Sequence, residues 1–483
     1  MLFNSINFAI FLPVVFILYW FVANKKLLAQ NVLLLCASYF FYASWDWRFL
    51  FLLIFSTLLD FYSGIKIANT SEIKTKKIWF WLSITINLGF LGIFKYYNFF
   101  TDSFVTAISL LGFKANISTL NIILPVGISF YTFHGLSYVI DIYKQRIKPE
   151  TNFINYALFV SFFPLLVAGP IERATHLLPQ IKKIRTFDYS KIVDGLRQIL
   201  WGFFKKLVIA DNCAEYANLI FNNSSEYSGS TLALGAVFFA FQIYGDFSGY
   251  SDIALGTARL FGIELLQNFS FPYFSRDIAE FWRRWHISLS SWFRDYLYIP
   301  LGGSKVSTFK KIRNTFIIFI VSGFWHGANW TFIVWGLLHA LFFLPILLTN
   351  HNKKNIEIVA KGRVFPSIKD LFDITRTFIL VTIAWVFFRA ENISHSIHYL
   401  STIFSSSLFS LPVFEGEAKA FVIILIIVWF IVIEWIGRED KYAIERFLLY
   451  QKQYIRWLFY SFVVFIIGMY AQTTETPFVY FQF

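Results

Sequence analysis

From Thr315 to Leu348 the chain runs for 34 residues without a single Asp, Glu, Lys or Arg. Basic residues flank the run on both sides: Lys310, Lys311 and Arg313 before it, Lys353 and Lys354 after it. A helical crossing of a bilayer takes about 20 apolar residues. The run is therefore too long for one crossing and short for two. Cytoplasmic loops collect Lys and Arg, so both ends are expected on the same side. The simplest solution is two short, tilted helices that meet part-way across the membrane, with the turn near Gly323 to Asn329.

Composition extends this reading to the whole chain. Hydrophobic residues make up 57% and charged residues 15% of the 483, against about 25% charged in soluble domains. So few charges cannot cover so much apolar surface in water. A soluble enzyme, a disordered chain and a disulfide-rich secreted scaffold are excluded. The apolar runs are long and unbroken rather than alternating, which argues against an outer-membrane barrel. The expectation is an all-α polytopic membrane protein with about ten to twelve transmembrane or re-entrant helices. It reads as one integral-membrane domain over residues 1–472 with an extracytoplasmic tail, 473–483. The net charge of +13 points to basic cytoplasmic loops, not to nucleic-acid binding. Cys36 and Cys213 lie in apolar segments and suggest neither a disulfide framework nor a metal site.

Positive-inside reasoning traces a path. Met1 starts outside, and 6–23 reads as a retained first span. Spans follow at 28–43, 49–65, 78–94, 118–140, 198–220 and 231–262, with later ones near 377–390, 419–437 and 457–472. Residues 153–170, interrupted by Pro164, Gly169 and Pro170, read as a re-entrant piece. Residues 276–313 hold eight Lys/Arg against three acids. No fixed-period repeat is present. Nucleotide-binding glycine loops, H-E-x-x-H, G-x-S-x-G and paired-cysteine motifs are missing from the sequence, which argues against an ATP-driven pump, a dinucleotide enzyme, a zinc protease and a lipase-type hydrolase.

His326 is the sharpest chemical signal. It sits in Ser322–Asn329 (SGFWHGAN), at the expected meeting point of the two helices. An ionisable residue at membrane depth is costly and marks a functional site. A neutral imidazole there can take a proton from a hydroxyl. The competing reading is a packed histidine bonded to a neighbouring helix, and spacing alone weighs the two evenly. His339 reads as a packing contact. His286 lies in Phe281–Asp295, where Trp282, Trp285, His286, Leu289, Trp292 and Phe293 recur at helical spacing. This predicts one amphipathic interfacial helix with Arg283, Arg284 and Arg294 off the apolar stripe. Periodicity alone makes interfacial anchoring the more natural role of that stripe. In Tyr244–Asp252, Gly245 and Gly249 form a small-xxx-small pair. Asp252 and Arg259, seven apart, could form a structural pair, and lining of a polar funnel is an equal alternative. Trp325, Asn329, Trp285, Asp246 and Asp252 are pocket candidates, and no metal site is expected.

Taken together, Phe162–Arg173 (FFPLLVAGPIER), Gly245–Asp252, Phe281–Asp295 and Phe324–Gly327 resemble the bacterial membrane-bound O-acyltransferase (MBOAT) family. The similarity is to the branch that holds alginate O-acetylation, peptidoglycan O-acetyltransferase and teichoic-acid D-alanyl transfer proteins. The resemblance implies a ring of tilted helices around a central funnel, where an acyl donor on one side meets an acceptor on the other. It matches His326 to the histidine of the family's Trp-His-Gly motif and His286 to its second histidine. The tail Phe478-x-Tyr480-x-x-Phe483 is similar to an F-x-Y-x-x-F motif of this branch, whose tyrosine is a candidate acyl shuttle. The implied activity is transfer of an acyl group, acetyl foremost, from a cytoplasmic thioester across the plasma (inner) membrane to an extracytoplasmic polysaccharide. The implied donor is acyl-CoA or an acyl-carrier protein, with no bound cofactor, and a periplasmic transferase- or esterase-like partner completes the transfer. The competing classes are a transporter of a lipid-linked sugar or acyl carrier, and a protein or lipid acyltransferase of the same fold. A transporter would tolerate His326→Ala.

Overall fold

The computed structural model describes residues 1–483 apart from 115, 116, 118, 121, 122, 168, 353, 473–477 and 480–483. Among the described residues the regular structure is helical throughout, so the chain is all-α. It divides into two compact units, one of residues 1–195 with 257–266 and one of residues 196–256 with 267–483.

In the first unit, Ser5 starts the chain's first helix, Ile6–Ile17, by accepting a hydrogen bond from the Phe8 N–H. Asp46 does the same for Trp47–Asn69 through the Arg48 N–H. Asp60 of that helix accepts from Ser83 Oγ (2.6 Å) and Asn87 Nδ2 (2.8 Å) of Ile73–Leu91. In hydrocarbon, where apolar contact gives helices no preference for one another, such polar bonds fix which helices pair. The interrupted stretch 153–170 is no clean span. It breaks at Phe162 into Phe153–Ser161 and the single turn Phe163–Leu166, and Tyr156 to Leu166 is buried throughout.

In the second unit the charge-free run forms the pair Thr308–His326 and Trp330–Leu348, broken at Gly327–Asn329. The turn falls where the sequence placed it. The helices are longer than the short ones expected, however. Each has 19 residues, about 28 Å at 1.5 Å per residue, because the first begins at Thr308 inside the basic stretch. Trp330–Leu348 alone is long and apolar enough to cross a membrane. A Cβ on Gly323 would lie 2.2 Å from the Phe332 carbonyl oxygen, so only glycine lets the two backbones approach this closely.

The segment 281–295 also differs from its pattern. It is two short helices, Ile278–Arg284 and Ile287–Phe293, separated by Trp285 and by His286 in the left-handed region (φ 44). Arg283 and Arg294 are exposed, but Arg284 is buried against the Glu280 carboxylate at 2.8 Å. That pairing lets a charge face inward despite the apolar stripe.

Among the described residues seven helices are long and apolar enough to span a bilayer, and Ile6–Val22 and Leu27–Ala43 are shorter apolar helices. Their outward faces are greasy. On Gln453–Tyr470, Trp457, Leu458, Phe465 and Met469 all point out, with Leu458 72% exposed. Such a surface needs lipid rather than water around it. The chain is a multi-pass membrane protein.

Candidate active site

The second unit brings both singled-out histidines into one aromatic cluster. His326 ends its helix, 2% exposed, its ring edge-on to Trp335 (5.0 Å) and Phe388 (5.4 Å). His286 is fully buried. Trp325 touches both rings, at 6.0 Å from His286 and 4.8 Å from His326. Trp285, also fully buried, packs on Trp385 (5.1 Å), which stacks on Trp335 (5.7 Å). The seven rings thus share one continuous packing.

His286 is held by specific bonds. Its Nδ1 lies 2.9 Å from Asn268 Oδ1, which also accepts from Ser288 Oγ at 2.9 Å. A carbonyl oxygen can only accept, so Nδ1 carries the hydrogen and Nε2 keeps its lone pair. Nε2 has no partner among the described residues. Burial pushes this imidazole down to about 3, so it stays neutral and ready to accept a hydrogen bond. The left-handed backbone at a non-glycine residue is strain of the kind that collects at functional sites. It turns the ring inward between the two short helices.

Asn329 is the N-cap of Trp330–Leu348. Its Oδ1 accepts from the Thr331 N–H (3.0 Å), and its Nδ2 donates to the Glu391 carbonyl (2.9 Å). It shapes the turn that carries His326. His339 accepts from Trp282 Nε1 at 3.2 Å and packs on Trp335, the packing role that its position suggested.

Asp246 and Asp252 lie on Gly229–Leu260 and are paired to lysines, not to Arg259. Lys205 bonds Asp252, which also accepts from Gln198 Nε2, and Lys206 bonds Asp246 at 2.8 Å. Arg259 instead pairs with Asp194 and Glu264 in the first unit. Seven-residue spacing puts two side chains on one face but does not choose their partners. Lys205 and Lys206 were missed, although two lysines inside the apolar stretch 198–220 carry the same intramembrane-charge signal as His326. Gly245 and Gly249 do allow close approach: a Cβ on Gly249 would sit 2.8 Å from the Gly202 carbonyl oxygen. Asn268 carried no sequence signal, and Phe247 only that of the Gly245–Asp252 segment in which it lies.

Phe247 meets His286 edge-on at 4.6 Å and Phe478 at 5.8 Å. Phe478 and Val479 of the tail therefore lie buried beside the site. Tyr480 itself lies outside the described residues. Beside the cluster is a cavity of about 490 Å³ with a mainly apolar lining, in which Ile287, Ser290 and Ser322 sit with Arg283 and Arg294. This volume suits a small-molecule ligand, and an apolar wall with guanidinium groups fits an anionic molecule with a neutral reactive end.

Comparison with known proteins gives a consistent picture. The pattern of the membrane-bound O-acyltransferase family matches residues 144–382. The chain is 41% identical over 408 residues to the probable alginate O-acetylase of Pseudomonas aeruginosa, covering 84% of this chain and 75% of that protein. It is 37% identical over 450 residues to the peptidoglycan O-acetyltransferase of Helicobacter pylori, covering 87% and 83%. With the teichoic acid D-alanyltransferase of Bacillus subtilis it shares 31% identity over 244 residues, covering 48% and 60%.

Proposed function

Because the chain belongs to the membrane-bound O-acyltransferase family and is an acyltransferase, we propose that it carries an acetyl group across the plasma membrane. The donor is a cytoplasmic thioester, acyl-CoA or an acyl-carrier protein, and the final acceptor is an extracytoplasmic polysaccharide. His326 is the general base. It takes the proton of the attacking hydroxyl, that of Tyr480, as the oxygen bonds to the thioester carbonyl carbon. The carbon–sulfur bond then breaks, and the leaving thiolate takes the proton back from His326. His286 orients the reacting groups through its Nε2 lone pair. The acyl-thioester end of the donor occupies the 490 Å³ cavity, with Arg283 and Arg294 on its wall attracting the donor's phosphates. The acetyl ester on Tyr480 then passes to the glycan with the help of a periplasmic transferase- or esterase-like partner.

One observation carries this reading: Trp325 joins the two histidines, and Phe247 joins His286 to the tail. A transporter of intact carriers would need neither a buried histidine beside a second one nor Phe478 brought to them. The test compares base-released O-acetyl groups from the surface polysaccharides of wild-type, His326→Ala and Tyr480→Phe cells at matched protein level. Loss of a general base costs about 10²–10⁴-fold, so His326→Ala should reduce the ester to background. Tyr480→Phe should do the same. Retention of the ester in Tyr480→Phe cells alone would remove the shuttle and keep the enzyme. Retention in both would overturn the assignment.

A further inference from the structure

One buried charge cluster has no part in the chemistry above. Phe204–Ala210 is a π-helical turn that places Lys205 and Lys206 inside the second unit, 4% and 1% exposed. Such wide turns are frequent at functional sites. Lys206 Nζ lies 2.8 Å from both Asp211 Oδ1 and Asp246 Oδ1. Asp246 divides its carboxylate: Oδ1 faces the lysine, and Oδ2 accepts the backbone N–H of Val479 at 2.6 Å. Phe478 is fully buried against Phe247 (5.8 Å) and Tyr250 (4.8 Å). Upstream, Asn212 Nδ2 donates to the Tyr470 carbonyl and Gln472 Nε2 to the Asp211 carbonyl, both at 3.0 Å. Tail residues on both sides of 473–477 are thus held by groups gathered around one lysine.

A carboxylate that accepts a backbone N–H anchors the tail at that point whatever its side chain. The site for the Phe478 ring adds a side-chain requirement. Together they set a register, and Tyr480 follows Val479 directly in the chain. We propose that the Lys206–Asp246 pair is a latch that holds the C-terminal tail in one register and so presents Tyr480 to the histidine site. This rests on the tyrosine-carrier reading above. Asp246 and Lys206 are positioning residues, acting on the acyl group only through the tail.

The test uses the full-length chain in detergent micelles, with Cys36→Ser and Val479→Cys. Maleimide labelling of the new thiol reports release of the tail, and the native Cys213, 0% exposed, reports unfolding. A hydrogen bond to a charged group is worth a factor of about ten or more. Adding Asp246→Leu should therefore speed labelling at position 479 at least about tenfold while Cys213 stays silent. Asp246→Glu should restore slow labelling. A second variant changes no charged group: Val479→Pro in the native chain removes the N–H donor and also fixes the local backbone. It should lower base-labile acetyl ester in cells about tenfold, with a smaller drop for Val479→Ala, which keeps the donor. Equal labelling rates with and without Asp246 would overturn the latch. Faster labelling with undiminished ester in Asp246→Leu and Val479→Pro cells would overturn its positioning role. If Cys213 also labels in Asp246→Leu, the ester level of Val479→Pro decides. His326→Ala cells, run alongside, separate the two readings. If they lose the ester while the latch variants change nothing, the latch falls and the acyltransferase mechanism stands.

Discussion

At the scale of single residues, His286 shows how burial sets chemistry. In the unfolded chain its imidazole binds a proton near pH 6.5. In the folded protein burial pushes it down to about 3, and the Asn268 carbonyl fixes the hydrogen on Nδ1. The unfolded state therefore binds more protons wherever the pH lies between these values. Stability from this group is complete above about pH 6.5 and falls as the pH drops toward about 3, by about 1.4 kcal/mol per unit. Replacing the ring by a side chain that cannot titrate removes that slope. His286→Gln should melt lower than wild type at pH 8, yet lose less melting temperature between pH 7 and pH 5. Thermal unfolding in detergent followed by intrinsic fluorescence measures both. A parallel pH dependence in the two proteins would mean that His286 titrates alike in the folded and unfolded chain.

At the scale of elements, much of the site was legible and part was not. The glycines and charge-free flanks around His326 located the turn between Thr308–His326 and Trp330–Leu348, because a break in a membrane helix needs small residues and a capping side chain, and both are visible as letters. The apolar stripe through Trp282, Trp285 and His286 predicted burial correctly for Trp285 and His286. It hid the break between the two short helices, since a single left-handed residue leaves the order of side chains unchanged. The partners of Asp252 and Arg259 were illegible for another reason: each comes from a different helix, and spacing along one helix holds no information about its neighbours. The helix crossing is testable. A Cβ on Gly249 would meet the backbone at Gly202 O (2.8 Å) and Lys206 N (3.0 Å), neither of which can swing aside. Gly249→Leu should destabilise by about 1–3 kcal/mol and, by pushing Lys206 away, weaken its hold on Asp246. A depressed melting temperature together with reduced ester in cells is the expected pair of results, while an unchanged melting temperature would mean that the helices are free to part.

At the scale of the whole molecule, the proposed transfer would give the membrane crossing its purpose, and the charge distribution predicts which way the chain runs. The residues 276–313 carry eight basic against three acidic side chains, and loops rich in Lys and Arg stay in the cytoplasm. Arg283 and Arg294 of that segment line the cavity proposed for the donor, so the proposal puts the cationic wall and the thioester pool on the same side. The loop at Asn222–Glu226 holds no Lys or Arg, and it follows a helical stretch that starts from the basic side, which predicts it outside. Ser304 and Ser225 are both exposed and serve as probes of the two sides. In a chain with Cys36→Ser, a cysteine at Ser225 should react with a membrane-impermeant maleimide in intact cells with permeable outer layers. One at Ser304 should react only after the plasma membrane is opened. The buried Cys213 stays silent in both, so each signal comes from one site. Labelling of Ser304→Cys from outside would put the cavity on the glycan side. The thioester would then need a transporter of its own, and a tail that carries acetyl groups outward would have no gap to bridge.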